Sequence, residues 1–331
     1  MSRHRDSDLW RTQNFLRDPA LITRLVERSE IGAEDVVYDL GAGTGNLTAA
    51  LARRAARVVA IEKDPALVTR LRVRFVATPN VVVREADIFH YPMPHTAHVV
   101  FANPPFDRTA DLVRRLTEAD VPPRVAYLVL QRAAAERFLG TPHGTLVAAL
   151  LAPWFALRIE HRFAATDFAP RPAVDIVLVR LQKRAPPLVP SRDATLYRDL
   201  VVTCFVNRRS LLDPRTTPQS LTFAEWLDLY RRFRTLPRVV RRSISGAEAR
   251  LRRQQQTLRK QHRTRAPRDA LRGVTYVAPL AAARWVPASR AISRTISPAG
   301  LMSWMRAADW PAQSDASSRS PSYAPLGIEA P

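Results

Sequence analysis

One cysteine, three lysines and ten glycines are all that a chain of 331 residues contains of these types. The single thiol, Cys204, excludes an intrachain disulfide and a cysteine-built zinc site. Lysine is limited to Lys63, Lys183 and Lys260, so 48 of the 51 cationic side chains are arginine, the better fork for phosphate. Acids are scarce as well, 30 against those 51, and the formal net charge is +21. Such a bias favours a polyanionic partner, either nucleic acid or an anionic membrane. Long apolar runs are missing. The longest, 146–157, is interrupted by Pro153 and falls well short of the roughly 20 residues that a bilayer span needs. The first fifteen residues are charged and lack an apolar stretch, so no secretory signal is expected there and the protein is expected in the cytoplasm. What is present is ample apolar material, 46% of the chain, which excludes wholesale disorder.

Residues 18–184 alternate between strand-like and helix-like stretches. Apolar, β-branched runs occur at 36–40, 57–61, 81–84, 98–102, 125–130 and 176–181. Between them, Pro65 follows Asp64 and precedes apolar residues at 67, 68, 71 and 75, a capped helix with one buried stripe. The pattern predicts an α/β, Rossmann-like, mostly parallel sheet covered on both faces. The Pro-rich stretch 185–190 reads as a linker, and 193–207 and 223–233 as helices. Three units are therefore expected: an α/β domain over 1–184, a small all-α domain over 185–236, and a basic, largely disordered tail over 237–331. Between 231 and 272 there are 15 basic residues against Glu248 and Asp269, a charge density suited to RNA phosphates.

Val36-Val-Tyr-Asp-Leu-Gly-Ala-Gly-Thr-Gly-Asn-Leu-Thr48 is a strand, then Gly41, Gly43 and Gly45, then a helix start. The spacing is not that of a dinucleotide fold, which binds a pyrophosphate. Glu62 ends the second strand, where it can accept hydrogen bonds from both ribose hydroxyls of an adenosine. Asp87 follows the third strand, where it can meet an adenine amino group. Together the set fits S-adenosylmethionine.

Asn103-Pro104-Pro105-Phe106 ends the fourth strand, and ligands of such sheets bind at the carboxyl ends of strands. The exocyclic amine of adenine is a poor nucleophile because its lone pair is delocalised into the ring. The Asn103 side-chain oxygen and the Pro104 carbonyl supply two acceptors for its hydrogens. Consecutive prolines stiffen the loop, and Phe106 offers a face on which an extruded base can stack. His90, His95 and His98 lie in a Pro-containing stretch without metal-ligand spacing, so no metal is assigned.

Over residues 11–236 the sequence resembles the Erm-type rRNA adenine N6-methyltransferases. Gln13-Asn14-Phe15-Leu16 resembles the family's N-terminal cofactor motif, with Asn14 and Leu16 as contacts. The stretch from Asp39 to Gly45 resembles its cofactor loop. Glu62 resembles the ribose acid, with Lys63 counted among the cofactor contacts, and Asp87 and Ile88 resemble the adenine contact. The 103–106 segment resembles the catalytic tetrapeptide, with Asn103 also touching cofactor. Pro104 and Phe106 depart from the usual Leu or Ile and Tyr. Phe168-Ala-Pro-Arg-Pro-Ala-Val174 resembles a later motif in which Phe168 would stack on the other face of the base. Phe205-Val-Asn-Arg208-Arg209 resembles an arginine motif of the RNA-binding domain. The tail arginines Arg241, Arg242, Arg252 and Arg253 extend that assignment. The resemblance implies methylation of one adenine of 23S rRNA by a monomer, giving resistance to macrolide, lincosamide and streptogramin B drugs. Small-subunit dimethyltransferases share almost every motif and are the alternative. A DNA adenine methyltransferase is disfavoured by the 13–16 and 168–174 motifs. A non-catalytic RNA-binding protein of the same fold is disfavoured by the intact Gly41, Glu62, Asp87 and Asn103.

Overall fold

The computed structural model describes residues 15–206, 211–213 and 216–257. Its centre is a seven-stranded sheet in the order β4-β3-β2-β5-β6-β9-β7. The strands are β2 (Val36–Leu40), β3 (Arg57–Glu62), β4 (Val81–Glu85), β5 (Val99–Ala102), β6 (Val125–Gln131), β7 (Phe155–Arg162) and β9 (Ile176–Lys183). From β4 to β6 the pairing is parallel, and β9 and β7 join antiparallel at one edge. Alternate residues feed two cores, as a sheet buried on both faces requires. On one face Val99, Phe101, Val125 and Tyr127 pack with helices α1 (Pro19–Glu27) and α2 (Asn46–Ala52). On the other, Val100, Ala102, Ala126 and Leu128 pack with α4 (Thr109–Thr117) and α5 (Arg132–Leu139). Helix α3 (Pro65–Arg74) starts as expected, with the Asp64 side chain accepting from the Ala66 N–H at 2.8 Å.

All six sequence-expected strands are present, most one or two residues longer. Two features escaped. Strand β7 carries arginine, glutamate and histidine because only part of it is covered, so its alternation is weak. The apolar run before it divides into helix α6 (Leu146–Leu151) and the start of β7. The second feature is a two-stranded ribbon of β1 (Phe15–Leu16) and β8 (Phe168–Ala169), paired antiparallel with Phe15 opposite Ala169. Runs of two residues carry no readable period.

Helices α7 (Ala194–Val206) and α8 (Phe223–Thr235) enclose a separate cluster built on Tyr197, Trp226, Tyr230 and Phe233. The expectation of a tail from residue 237 does not hold for 238–257. There α9 (Arg238–Ser243) and α10 (Ala247–Thr257) bury Val240, Ile244 and Leu251. A few apolar residues suffice because α7 and α8 already supply the facing surface. The rest of that tail lies outside the described residues. Among the described residues no helix is long and apolar enough to cross a membrane.

Candidate active site

Strands β2, β3 and β5 end side by side, with Leu40 paired to both Ile61 and Ala102. The three sequence elements of interest therefore converge on one crevice. The glycine loop turns sharply there. Gly41, Gly43 and Gly45 have φ of +85°, +55° and +83°, a region that L side chains rarely adopt. The N–H groups of Gly41 and Ala42 both donate to the Ile61 carbonyl, at 2.9 and 3.0 Å. A Cβ on Gly41 would stand 3.6 Å from the Asn103 carbonyl oxygen, so the loop lies against the backbone of the tetrapeptide.

Glu62 is 3% exposed. Its Oε2 accepts from the Gly43 N–H at 2.9 Å, and its Oε1 accepts from the N–H groups of Lys63 and Asp64 at 2.8 and 3.0 Å. Beneath it, Asp39 is buried to 1% and accepts from the Thr48 hydroxyl at 2.5 Å through Oδ2. Its Oδ1 has no hydrogen-bond partner among the described residues. Burial pushes this carboxyl up to about 7, and the neighbouring Glu62 charge adds to the effect. In the sequence Asp39 stands out only as the first residue of the loop motif, without a role of its own. The available signal was an acid inside an apolar strand with no basic residue beside it.

Asp87 accepts from the Phe89 N–H at 2.8 Å and faces His90 Nδ1 at 3.3 Å. Burial works to raise its carboxyl, but the Phe89 N–H, His90 and the Arg108 guanidinium hold it below the ordinary value. Arg108 also lies over the Phe89 ring, 3.5 Å from its centroid. This cation, just past the tetrapeptide, was not singled out from sequence. Ile88 is buried among residues of α4.

Pro104 is buried, and Asn103 and Phe106 are half-buried. Thr109 Oγ1 donates to the Phe106 carbonyl at 3.1 Å, tying the tetrapeptide to the first turn of α4. Phe106 packs against the core cluster that contains Leu16 and Phe168. Phe168 is only 1% exposed and meets Phe163 edge-on, ring centroids 5.2 Å apart. The expectation that Phe168 offers a stacking face is corrected by this burial. Pairing of β8 with β1 turns the ring into the core, in the same cluster that Phe106 packs against.

Phe15 closes the crevice from the ribbon side. A Cβ on Gly43 would stand 2.7 Å from its Cε1. Beside it opens a cleft of about 570 Å³ lined by Phe15, Leu16, Arg17, Thr44, Asn46 and the 169–170 pair. Asn14, Arg208 and Arg209 lie outside the described residues. Arg242 and Arg253 are exposed, and Arg241 donates to the Leu236 carbonyl at 3.1 Å. Arg252 is placed between Glu118 and Glu248, 2.7 Å from each.

The family model described as ribosomal RNA adenine dimethylase matches residues 9–223. The mycinamicin-resistance protein MyrB of Micromonospora griseorubida is 30% identical over 257 residues, covering 70% of this chain and 82% of that protein. Ribosomal RNA small subunit methyltransferase A of Bacillus cereus (strain B4264) is 31% identical over 215 residues, covering 60% and 73%. Among solved structures, the 23S rRNA methyltransferase ErmE matches with a TM-score of 0.61 at 27% identity, covering 66% of this chain and 99% of that one.

Proposed function

The chain belongs to the ribosomal RNA adenine dimethylase family, and from that premise we propose that it methylates the N6 amine of an adenine in 23S rRNA, using S-adenosylmethionine. Resistance to macrolide, lincosamide and streptogramin B drugs follows from that modification. The observation that carries the reading is the contact of the glycine loop with the tetrapeptide, 3.6 Å from a Gly41 Cβ to the Asn103 carbonyl. A cofactor cradled by the loop and a base held by the tetrapeptide then share one crevice.

The residues fit the cofactor. Gly41 holds a φ of +85° that lays bare backbone against the Asn103 carbonyl, Glu62 and Asp87 stand at or just beyond successive strand ends, and the Asp39 Oδ1 is a buried polar atom with no partner among the described residues. S-adenosylmethionine supplies an activated methyl group when bound. The chain's own residues orient the acceptor. The Asn103 side-chain oxygen and the Pro104 carbonyl accept from the two hydrogens of the adenine amine and draw its lone pair out of the ring. Phe106 stacks on the extruded base, with the core cluster that contains Phe168 beneath it. Gly41, Gly43, Gly45, Glu62, Lys63, Asp87, Ile88 and Leu16 hold the cofactor. Arg241, Arg242 and Arg253 bind phosphates. Catalysis by such a site is mainly positioning and electrostatics.

Likeness to the 23S rRNA methyltransferase ErmE supports the large-subunit target, and likeness to the mycinamicin-resistance protein MyrB supports the drug-resistance outcome. The Bacillus cereus relative supports a second reading, dimethylation of small-subunit rRNA. Incubation with labelled S-adenosylmethionine and protein-depleted rRNA of each subunit, followed by mapping of the modified base, separates them. Label on one adenine of 23S rRNA is expected. Label confined to small-subunit rRNA establishes the second reading instead.

A further inference from the structure

Helix α10 lies beyond the residues matched by the family model, which end at 223. It is nevertheless anchored firmly. The buried Asp199 carboxylate on α7 accepts from the N–H groups of Gly246 and Glu248, each at 2.9 Å, and so caps α10 from another helix. Leu251 is 6% exposed. Arg198, also on α7, reaches Glu248 Oε1 at 3.3 Å. One turn on, Arg252 donates through Nη2 to Glu248 and to Glu118, at 2.7 Å each, and through Nε to Glu248 at 3.0 Å.

Glu118 is the residue after α4, and its N–H closes that helix on the Arg114 carbonyl. The other end of α4 starts three residues after Phe106 and is bonded to it through Thr109. Leu112, Val113 and Leu116 hold the helix on the sheet. A helix of this length spans roughly 14 Å at about 1.5 Å per residue, so it links Glu118 to the tetrapeptide as a short rod. Exposed ion pairs contribute little stability, about 0–1 kcal/mol, and this pair is partly exposed, at 43% and 36%. Its geometry is better suited to fixing position. The guanidinium is already held by Glu248 on a helix already capped by Asp199.

We propose that Arg252 is a positioning residue, a strut that sets α4 and thereby the 103–106 segment through Glu118, and that it is not an RNA contact. This rests on the methyl-transfer reading above. A displacement of about 1 Å in a reacting group lowers rates by up to about 10²-fold, so a modest shift of α4 is enough to register.

The test uses the full chain and single-turnover methyl transfer at saturating rRNA. Arg252→Ala and Glu118→Ala should each lower the rate about fivefold or more, and the double variant should be no slower than the slower single one. Glu118→Gln keeps an acceptor for the guanidinium and should restore most of the rate. Affinities for cofactor and rRNA should stay unchanged. Multiplying defects, or weaker rRNA binding for Arg252→Ala with a wild-type rate for Glu118→Ala, would overturn the strut. Hydrogen exchange at the α4 amides of the cofactor-free protein gives an independent reading. It should quicken alike in both alanine variants, and wild-type exchange in both overturns the proposal. A wild-type chain that transfers no label to rRNA overturns the proposed function, and exchange then decides the strut by itself.

Discussion

Glu62 Oε2 accepts the Gly43 N–H at 2.9 Å, so the acid that ends β3 holds in place the loop that follows β2. Its other oxygen is taken by the N–H groups of Lys63 and Asp64. A carboxylate has about four lone-pair sites, and three are filled before any ligand arrives. Glu62 therefore shapes the loop in addition to offering an acceptor to a ribose.

Glu62→Ala should weaken cofactor binding about 10- to 100-fold, the equivalent of roughly 1.5–3 kcal/mol for lost hydrogen bonds to a charged group. It should also lower the melting temperature of the cofactor-free protein, while rRNA affinity stays put. Calorimetry that returns wild-type cofactor affinity contradicts the assignment.

Gly43 and Phe15 exclude one another's growth. A methyl on Gly43 meets Phe15 Cε1 at 2.7 Å and Cδ1 at 3.0 Å, at a φ of +55°. Gly43→Ala should cost about 1–3 kcal/mol through backbone strain and the displaced ring. Adding Phe15→Ala should recover the steric part and leave the backbone part. Urea melts of the two variants measure both.

Asp39 predicts a pH dependence of stability. Its carboxyl moves from an ordinary 3.8 to about 7 on folding, so the native state keeps a proton that the unfolded chain releases. Its contribution is therefore complete below pH 3.8, declines as pH rises, and is lost once pH passes about 7. The full loss is on the order of 4 kcal/mol, near 1.4 per pH unit. Asp39→Asn is neutral throughout and should show a flatter urea midpoint between pH 5 and 7 than the wild type. Parallel curves for the two proteins refute the buried proton.

Asn103 and Phe106 should fail differently. Asn103 acts on the amine as it attacks, so Asn103→Ala should lower the single-turnover rate with little change in binding. Phe106 stacks, an effect worth roughly 1–3 kcal/mol per base. Phe106→Ala should weaken capture of the target adenine, and Phe106→Tyr should keep most activity. Equal rates for the alanine and tyrosine variants rule out stacking.

Two truncations should separate affinity from folding. Removing 258–331 deletes six basic residues among 258–272 and should flatten the salt dependence of rRNA binding with no change in melting temperature. Removing 238–331 also exposes the surface that Val240, Ile244 and Leu251 cover and strips the buried Asp199 of two donors. That protein should melt well below the first.

The central strands were legible because continuous Val, Ile and Leu runs have one reading in a sheet covered on both faces. The placement of Gly41, Glu62, Asp87 and Asn103 at or just beyond strand ends was legible because each follows a strand that the apolar runs mark out. Phe168 was misread because its exposure depends on β8 pairing with β1, a contact between residues far apart in the chain. The 238–257 helices were missed because their apolar content looks too thin until α7 supplies the other half of the interface. Arg252 looked like one more cation in a basic run. Its partner Glu118 lies 134 residues away.

The start of α10 depends on Asp199, a residue of α7, for the partners of the Gly246 and Glu248 N–H groups. A segment of this length is marginal by itself in water. Its order therefore depends on a surface more than forty residues earlier in the chain. Residues 247–257 are ordered by what 194–206 offer them, the Asp199 carboxylate and the apolar surface that covers Leu251, so the last helix among the described residues is a reporter of whether α7 is in place.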